Sequence, residues 1–526
     1  METACLRHTD IPHTSRLFSD FQYHFDRVAP YYAHNPADAS SYAAVAKEMA
    51  FPAARRAELV AALRVRNGDS PSLDRLARPD TVAVVTGQQV GLFSGPSYTI
   101  YKALTAAKLA SQLATQGIPA VPIFWLATED HDFVEVNHSF VFNGEHRPIT
   151  LSVNGSGGST ERPVGTIQIE QPPVAQLREA LSAFPHGADI GDIVEQAYRP
   201  GVTFGAAFQA LLQRLLAKLG LLFIDPLDEA IRRMAAPLLR EALHDGARLQ
   251  EELLQRNKEL ESAGYHAQVH LEQKTSLVFL LEGDRRITLR KQNGEYVSKD
   301  RRFTAEELMK LADHLSPNAL LRPVVQDYVL PTVAYVGGPA ELAYMAQSEV
   351  LYKDLLKRMP VMLARSGFTL LDARTGKLMD RYGLALPDFF HGDDSVREAI
   401  ARKLVPASLA QKFERVQKAT SESLDQLRAD LVSFDATLAA AADKSRAKIL
   451  HQLSKIERKT ARETVNRNQR ALADASFMCG LIYPEKHLQE RFYSILPFLA
   501  KHGPELIDRL CENIHLDCPD HKILFV

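Results

Sequence analysis

A catalytic or substrate-binding centre is indicated by four consecutive polar residues, Glu129, Asp130, His131 and Asp132. Among three carboxylates and one imidazole, one group can act as a general base, and the carboxylates can bind Mg²⁺ or a substrate amine. The alternative is a solvated turn that caps the segment after it. We favour a functional role because the apolar stretch Ala120–Ala127 leads directly into these residues, and ligands bind beyond the carboxyl ends of parallel strands.

A glycine-rich segment, TGQQVGLFSG over residues 86–95, is the second candidate for binding chemistry. The apolar residues 81–85 before it predict a buried strand, and Ser94, Gly95 and the proline after them predict a helix start. A strand, a glycine loop and a helix start together present backbone N–H groups to an anion. The segment lacks the GxxxxGK(S/T) and GxGxxG fingerprints, so a tight strand-to-helix turn is an equal alternative.

Side chains on this segment and on the helix after it extend the candidate site. Tyr98 and Lys102 lie one turn apart on the same helix face. Lys102 can reach a phosphate or a carboxylate, and its alternative is an ordinary exposed helix lysine. Gln88 and Gln89 can hydrogen-bond a sugar, an amide or a carboxylate of a ligand. Alternatively, one of them can stabilise the turn itself through a hydrogen bond within the protein. The candidate binding residues here are Gly87, Gln88, Gln89, Ser94, Gly95, Tyr98 and Lys102.

A similar arrangement recurs in residues 316–349, where an apolar stretch at 330–336 leads into two glycines and a proline. This order predicts a strand, a turn and a helix that carries polar side chains. We expect the two glycine turns to face one cleft. Farther on, an arginine beside another strand region suits a carboxylate or phosphate by bidentate contact, with a structural ion pair as its alternative. The candidates on this side are Gly337, Gly338, Glu341, Tyr344 and Arg365.

The order of apolar segments predicts an α/β fold with a parallel sheet. The strand-like stretches at 81–85 and 120–127 flank a helical segment, which is a βαβ pattern. Alternating segments at 139–170 and 266–303 indicate β insertions, the first with a Gly-Ser-rich turn at 154–159.

A long helical hairpin is predicted after the core. Residues 404–475 contain one proline, Pro406, and no glycine, and their apolar positions alternate mostly at spacings of three and four, as in a heptad seam. Asp435 is a candidate cap for the second helix. Because a lone hairpin buries little surface, we expect its seam to meet another subunit or the main body. The predicted units are a parallel-sheet core over 1–380 with insertions near 139–200 and 264–305, a coiled-coil hairpin over 381–475, and a C-terminal segment, 476–526, that returns to the core.

The composition excludes several classes of function. The chain has 526 residues, of which 46% are hydrophobic and 24% charged, with a net charge of −2, so no global field attracts nucleic acid or a membrane. No apolar run reaches the ~18–20 residues that span a bilayer, and residues 1–18 lack the apolar core of a signal peptide. Four cysteines in this length argue against a disulfide framework. We therefore expect a cytoplasmic protein.

Metal ligation by the protein itself is not predicted. Near the acidic cluster, a second histidine, His138, does not complete a common zinc-ligand spacing. The C-terminal spacing of Cys511, His515, Cys518 and His521 resembles a zinc site only superficially.

Four stretches together resemble the bacillithiol biosynthesis cysteine-adding enzyme family. They are TGQQVGLFSGPSYTIYK, FWLATEDHDFVEVNH, LRPVVQDYVLPTVAYVGGPAELAYMAQ and YPEKHLQER. The resemblance extends over nearly the whole chain, and its matches occur in order from the first glycine loop to the C-terminal segment.

The resemblance implies a fold and a reaction. The implied fold is a Rossmann-like, nucleotidyltransferase-like core with inserted connecting segments and an α-helical coiled-coil domain, usually in a homodimer. The implied reaction joins the carboxyl of cysteine to the amine of glucosaminyl-malate and gives bacillithiol. Because amide formation is uphill in water, the carboxyl needs activation, for which ATP with Mg²⁺ is the expected source, through an acyl-phosphate or an acyl-adenylate.

Roles for the candidate residues follow as hypotheses from this resemblance. The 87–95 loop and the helix start after it would bind phosphate or malate carboxylates, with Lys102 assisting. The residues that would orient or deprotonate the attacking amine are Asp130, His131 and Asp132. The opposite wall would be formed by Gly337, Gly338 and Glu341, and Arg365 would bind an anionic group.

Two other functions are compatible with the same patterns. The first is a nucleotidyl or adenylyl transferase that acts on another acid. The second is a non-catalytic interaction protein in which the coiled coil binds a partner and the core only senses a ligand. The acidic cluster and the glycine loops argue against the second, because a scaffold does not need them.

Overall fold

A computed structural model of the chain describes residues 4–153 and 161–526, and the Gly-Ser-rich turn predicted at 154–159 lies outside these residues. The described part is a mixed α/β protein. Its strands are β1 (Ala4–Leu6), β2 (Val82–Gln89), β3 (Ala120–Ala127), β4 (His138–Phe142), β5 (Pro148–Ser152), β6 (Leu222–Ile224), β7 (Thr275–Glu282), β8 (Arg285–Gln292), β9 (Glu295–Val297), β10 (Arg302–Phe303), β11 (Leu315–Pro317), β12 (Thr332–Gly337), β13 (Val361–Ala364), β14 (Phe368–Leu371) and β15 (His521–Phe525). Its α-helices are α1 (Arg16–Tyr23), α2 (Ala39–Lys47), α3 (Ala53–Asn67), α4 (Pro71–Leu76), α5 (Tyr98–Thr115), α6 (Phe133–Val136), α7 (Val174–Leu181), α8 (Gly187–Ala197), α9 (Phe204–Leu215), α10 (Glu229–His244), α11 (Gly246–Ser262), α12 (Ala305–Lys310), α13 (Arg322–Val329), α14 (Pro339–Leu351), α15 (Ala373–Tyr382), α16 (Leu386–Phe389), α17 (Asp393–Leu404), α18 (Ala407–Phe434), α19 (Ala436–Asn466), α20 (Gln469–Ile482), α21 (Gln489–Phe492), α22 (Leu496–His502) and α23 (Leu506–Glu512).

A five-stranded parallel sheet in the order β13-β12-β2-β3-β6 forms the centre of the protein. The chain fills one half of the sheet with β2, β3 and β6 and then crosses back to add β12 and β13 on the other side of β2. The strand order therefore reverses between β2 and β12, and ligands bind at such a switch point, beyond the carboxyl ends of the strands. The predicted parallel-sheet α/β core is confirmed, and β3 has the predicted bounds.

Both faces of this sheet are covered, which explains why its strands are continuous apolar runs. In β3, Phe124 and Leu126 pack into one hydrophobic core, whereas Ile123 and Trp125 pack into the core on the other face. Helix α5 connects β2 to β3 and is itself buried along most of its length.

Two β insertions and the C-terminal segment pack around the central sheet. Strands β4 and β5 form a hairpin, and β7 to β11 form an antiparallel sheet in the order β10-β9-β8-β7-β11. Its turn at Asn293 and Gly294 has positive φ at both residues (52° and 85°), as a type I′ hairpin turn requires. Strand β15 pairs with both β14 and β1, so the two ends of the described chain meet in one small sheet.

Helices α18 and α19 form the predicted antiparallel hairpin, with Gln417 bonded to Glu457 and Arg428 paired with Asp443 across it. Asp435, between the helices, accepts a 2.7 Å hydrogen bond from the backbone N–H of Thr437 and caps α19, as predicted. Apolar side chains that stay exposed on the hairpin include Val416, Leu427, Ile449 and Ile456. None of the helices in the described ranges is apolar over a length that would cross a bilayer.

Candidate active site

A cleft of about 1000 Å³ opens at the switch point of the parallel sheet. It is lined by the carboxyl ends of β2, β3 and β12, by the antiparallel sheet, and by the starts of α13 and α14. The sequence candidates that line it are Gly87, Gln88, Gln89, Tyr98, Lys102, Asp130, His131, Gly338, Glu341, Tyr344 and Arg365. The candidates that do not belong to the lining are Ser94, Gly95, Asp132 and Gly337. The ends of β2 and β12 therefore face one cleft, but among the glycines of the two predicted turns only Gly87, which lies within β2, and Gly338 line it.

The carboxylate of Asp130 is oriented by the protein yet stays within reach of the cleft. Gln89 Nε2 donates to its Oδ2 at 2.6 Å, and the same amide nitrogen donates to Glu135 at 3.0 Å. The backbone N–H of His131 donates to Oδ1 at 2.7 Å, and Arg286 forms an ion pair with that oxygen at 3.6 Å. The Asp130 side chain is 34% exposed, so a ligand can approach it. An oriented, accessible carboxylate is what a general base requires.

His131 is held as a neutral hydrogen-bond donor. Its Nδ1 lies 3.1 Å from Nη1 of Arg286. Because a guanidinium only donates, Nδ1 must accept, and the ring proton resides on Nε2. Burial lowers the pKa of His131, and the charge of Arg286 lowers it further. The imidazole therefore offers an N–H donor near pH 7 rather than a basic nitrogen.

The inserted antiparallel sheet supplies and fixes Arg286. This arginine, on β8, donates to Ser316 Oγ at 3.0 Å and to the Pro317 carbonyl at 2.8 Å, and it stacks 3.9 Å from the ring centroid of Phe279. Ser316 in turn donates to Oε2 of the buried Glu129 at 2.7 Å. Burial raises the pKa of Glu129, whose Oε1 has no hydrogen-bond partner among the described residues. The insertion thus determines the geometry of the acidic cluster.

Lys102 is buried beneath the cleft and paired with Glu341. Its Nζ also donates to the Gly87 carbonyl at 2.9 Å and to Gln88 Oε1 at 2.8 Å. Glu341 accepts a further 2.6 Å hydrogen bond from the Tyr335 hydroxyl. Burial alone would raise the pKa of Glu341, but the Lys102 ammonium holds it below its usual range. The alternative of an exposed lysine is wrong because Lys102 is buried, and from α5 it joins the end of β2 to the first turn of α14.

Two arginines bring positive charge into the cleft without a carboxylate partner. Arg322 donates to the Tyr344 hydroxyl at 2.9 Å and to Gln326 Oε1 at 3.1 Å, and both of these acceptors are neutral. Arg491, from the C-terminal segment, also lines the cleft. Within residues 4–153 and 161–526, neither forms an ion pair. Guanidinium groups that line a cleft and form no ion pair within the protein are suited to bind phosphate or carboxylate groups of a ligand.

Arg365 is buried and already paired. Its Nη1 and Nη2 donate to the two oxygens of Glu490 at 3.0 and 2.6 Å. Glu490 also accepts from the backbone N–H of Phe368 at 2.9 Å. The bidentate contact expected of Arg365 is therefore made with the protein's own carboxylate, which is the structural alternative raised from the sequence.

The turn between β2 and α5 differs from the prediction. Strand β2 continues to Gln89, and α5 begins at Tyr98, so the helix start expected at Ser94 is wrong. The reason is that Phe93 and Ser94 adopt positive φ (51° and 73°), which a helix excludes. Backbone N–H groups of the turn are bonded inside the protein: Gly91 to Gln89, Phe93 to the Tyr198 hydroxyl, Gly95 to Leu92, and Ser97 to the Tyr493 carbonyl. These groups are not presented to an anion.

Two further candidates have clear structural reasons for their residue type. A Cβ on Gly87 would lie 2.8 Å from the Trp125 carbonyl oxygen, so glycine permits the close pairing of β2 with β3. Asp132 caps the short helix α6 by accepting a 3.3 Å hydrogen bond from the backbone N–H of Glu135.

Convergent metal ligands are absent from the described ranges, where no three His, Cys, Asp or Glu side chains come together as a metal site requires. In the C-terminal spacing that superficially resembles a zinc site, His521 bonds the Thr369 hydroxyl at 2.8 Å, and Cys518 lies beside Cys5.

Charged residues of the cleft that the sequence did not indicate include Arg286, Arg322 and Arg491. Arg322 and Arg491 lie inside two of the four motif stretches, so membership of these stretches could have marked both arginines as candidate site residues. Arg286 had no such signal, since it lies in the meander, 155 residues from the histidine that it contacts.

The comparison with known proteins identifies the family. The bacillithiol biosynthesis BshC models match residues 1–366 as the N-terminal Rossmann-like domain and residues 368–526 as the C-terminal coiled-coil domain. A relative from Solibacter usitatus is 54% identical over 100% of both chains, and one from Koribacter versatilis is 36% identical over 99% of both. A third, from Salinibacter ruber, is 31% identical over 97% of this chain and 96% of its own. All three bear the name "Putative cysteine ligase BshC". The resemblance carried by the four motif stretches is thereby confirmed, and the chain belongs to the bacillithiol biosynthesis BshC family.

Proposed function

We propose that the chain is a ligase that joins the carboxyl group of L-cysteine to the amine of glucosaminyl-malate and so completes bacillithiol, a low-molecular-weight thiol. The observation that carries the proposal is the 54% identity, over its full length, to a relative named "Putative cysteine ligase BshC". The cleft supports it, because each of the four motif stretches contributes side chains to this one cavity. We place the reaction in the cytoplasm.

The new amide bond requires a neutral amine at the moment of attack. Asp130, oriented by Gln89 and by the His131 backbone, accepts the proton that the amine loses as the C–N bond forms. The Nε2–H of His131 is a donor for the oxygen on which negative charge develops at the cysteine carboxyl. Arg286 keeps that proton on Nε2 by occupying Nδ1.

Activation of the cysteine carboxyl is assigned to ATP with Mg²⁺. The lining suits a polyanion, because Arg322 and Arg491 offer guanidinium groups without carboxylate partners among the described residues. When bound, the nucleotide would supply the phosphoryl or adenylyl group that turns one carboxyl oxygen into a leaving group. Proteins commonly hold Mg²⁺ through substrate phosphates and one or two carboxylates, so the absence of a three-ligand cluster among the described residues is compatible with this assignment.

Arg322→Met is expected to raise the KM for one anionic substrate by about 10- to 100-fold, with a smaller change in kcat. A hydrogen bond to a charged group contributes roughly 1.5–3 kcal/mol to binding, and methionine retains the aliphatic bulk. Steady-state kinetics with each substrate varied in turn measures the effect and names the ligand. Arg147→Met is the matched control, since Arg147 pairs with Glu145 on the surface. An unchanged KM for every substrate in Arg322→Met would contradict the role of Arg322.

We further propose that the chain forms a homodimer through the hairpin, whose exposed apolar side chains include Leu427 and Ile456. Light scattering after size exclusion should show a dimer for the native chain and a monomer for the double variant Leu427→Glu/Ile456→Glu. A native monomer, or a variant that stays dimeric, would contradict this surface.

The test of the activity is a reaction of purified protein with cysteine, glucosaminyl-malate and Mg-ATP, followed by mass spectrometry, with each component omitted in turn. The expected result is bacillithiol with ADP or AMP only in the complete mixture. Product formed equally well without ATP would contradict the proposed activation. Nucleotide cleavage with acids other than cysteine would instead favour a transferase, and a thermal shift with nucleotide but no turnover would favour a ligand-sensing protein.

A further inference from the structure

A second cluster of reactive groups lies outside the cleft, where the two ends of the chain meet. Cys5, on β1, and Cys518, just before β15, have sulfur atoms 3.9 Å apart. The two residues are 513 positions apart in sequence, so only the fold brings them together. Cys5 is exposed and Cys518 is half-buried, and both thiols are free.

Lys522 adds to this pair a buried amine that has no hydrogen-bond partner among the described residues. It lies directly opposite Cys5 in the antiparallel pairing of β1 with β15, so the two side chains emerge on the same face. The residue is 1% exposed, and its Nζ has no hydrogen-bond partner among the described residues. The ring of Phe368, with its centroid 5.8 Å from Nζ, lies on the neighbouring strand. A buried amine without an acceptor is costly, and an adjacent thiolate would satisfy it.

Both cysteines are held in register by contacts that do not involve sulfur. Strand β1, which contains Cys5, is paired with β15. Just after β1, the backbone N–H of His8 donates to the Tyr23 hydroxyl at 2.8 Å. The segment after Cys518 is anchored to the same helix, because Tyr23 donates to Asp520 Oδ1 at 2.7 Å and Gln22 donates to the Pro519 carbonyl at 2.9 Å. The sulfur atoms need to approach by about 1.9 Å to reach the ~2.05 Å of a disulfide.

We propose that Cys5, Cys518 and Lys522 form a peroxide-reactive thiol site whose two cysteines close reversibly to a disulfide that links the N-terminal strand to the C-terminal segment. Disulfides of proteins in a reducing compartment are commonly transient and redox-sensing, which suits an exposed pair rather than a structural one. The site is independent of the ligase reaction, because none of its residues lines the cleft.

The chemistry balances with a hydroperoxide as the oxidant. The exposed Cys5 thiol transfers its proton to the Lys522 amine, and the thiolate attacks hydrogen peroxide to give a sulfenic acid and hydroxide, which takes the proton back as water. The Cys518 thiol then attacks the sulfenic sulfur, the S–S bond forms, and a second water leaves. Two thiols lose two electrons in total, and the peroxide is reduced to two waters. Burial and the neighbouring Cys518 raise the pKa of Cys5, so Lys522 is needed to bring it to its reactive form.

The test uses the full-length protein, reduced, desalted and treated with hydrogen peroxide. Remaining thiols are labelled with N-ethylmaleimide in denaturant, and the unreduced digest is analysed by mass spectrometry. The expected result is a Cys5–Cys518 linked peptide, with Cys479 and Cys511 still labelled and the link removed by dithiothreitol. Separate over-oxidation of Cys5 and Cys518 without a linked peptide would overturn the proposal.

Two variants isolate the parts of the site. Lys522→Met should fold, because Lys522 makes no hydrogen bond through its amine, and it should slow disulfide formation at least tenfold; an unchanged rate would overturn the role of the lysine. Cys518→Ala should accumulate a sulfenic acid on Cys5 that dimedone traps, and the absence of that adduct would overturn the proposed order of steps. Cys511→Ser, which changes another part-exposed thiol, should behave as the native chain.

Discussion

Asp130→Asn is expected to lower the rate of product formation by about 10²- to 10⁴-fold while the protein stays folded. The amide has nearly the shape of the carboxylate and can still accept the 2.6 Å hydrogen bond from Gln89. It cannot accept the proton of the attacking amine. Because Asp130 is accessible from the cleft and is not part of the hydrophobic core, the loss should appear in kcat and not in the thermal unfolding midpoint. Steady-state kinetics and a thermal melt on the same preparation measure both quantities.

Asp132→Asn is the matched control for this substitution. It makes the same chemical change two residues away, at a carboxylate outside the cleft lining that caps α6. Asparagine caps helices as well as aspartate, so stability should be preserved along with the rate. If Asp130→Asn kept the native rate, or if Asp132→Asn lost as much as Asp130→Asn, the assignment of the base would be wrong.

Arg365→Met is expected to destabilise the protein by about 3–5 kcal/mol, the effect of leaving one partner of a buried ion pair alone. Glu490, 3% exposed, would keep its backbone contact with Phe368 but lose both guanidinium bonds. Urea unfolding followed by circular dichroism measures the loss. The double variant Arg365→Met/Glu490→Gln should recover much of it, because no buried charge remains. A single variant as stable as the native chain would show that the pair contributes nothing.

The same pair predicts a dependence of stability on pH. Burial alone would raise the pKa of Glu490, but Arg365 and His521 lower it to about 2, below its ordinary 4.5. A carboxyl whose pKa is depressed by folding adds stability above its unfolded value and loses it as the pH falls toward the folded value. Unfolding free energy should therefore drop between about pH 4.5 and pH 2 in the native chain, and this part of the drop should be absent in Glu490→Gln.

Local patterns were enough to predict the elements that carry their own signal. Strand β3 was recognised with its bounds because both of its faces are buried, and the cap at Asp435 was recognised because the helices around it are long and regular. The convergence of the β2 and β12 ends on one cleft followed from the general rule for parallel sheets. These inferences need only residues that are near one another in the chain.

The rest of the site depends on contacts between distant residues. The sequence does not reveal that Lys102 forms an ion pair with Glu341 or that Arg365 forms one with Glu490, because each partner is more than 100 residues away in the chain. The helix start expected at Ser94 is wrong because Phe93 and Ser94 adopt positive φ, and Ser97, just before α5, donates its backbone N–H to the Tyr493 carbonyl from the far end of the chain. Charges whose partners come from another segment are therefore the residues whose roles a sequence pattern assigns least well.

In the proposed reaction, this cleft activates the cysteine carboxyl with ATP and passes it to the amine of glucosaminyl-malate. Cysteine labelled with ¹⁸O in both carboxyl oxygens tests it most directly, with mass spectrometry of all products. We expect one ¹⁸O in the amide carbonyl of bacillithiol and the other in the released phosphate or AMP, and we expect Asp130→Asn to form no more than about 1% of the native amount of bacillithiol. Bacillithiol formed with no ¹⁸O in any phosphoryl product would contradict the account.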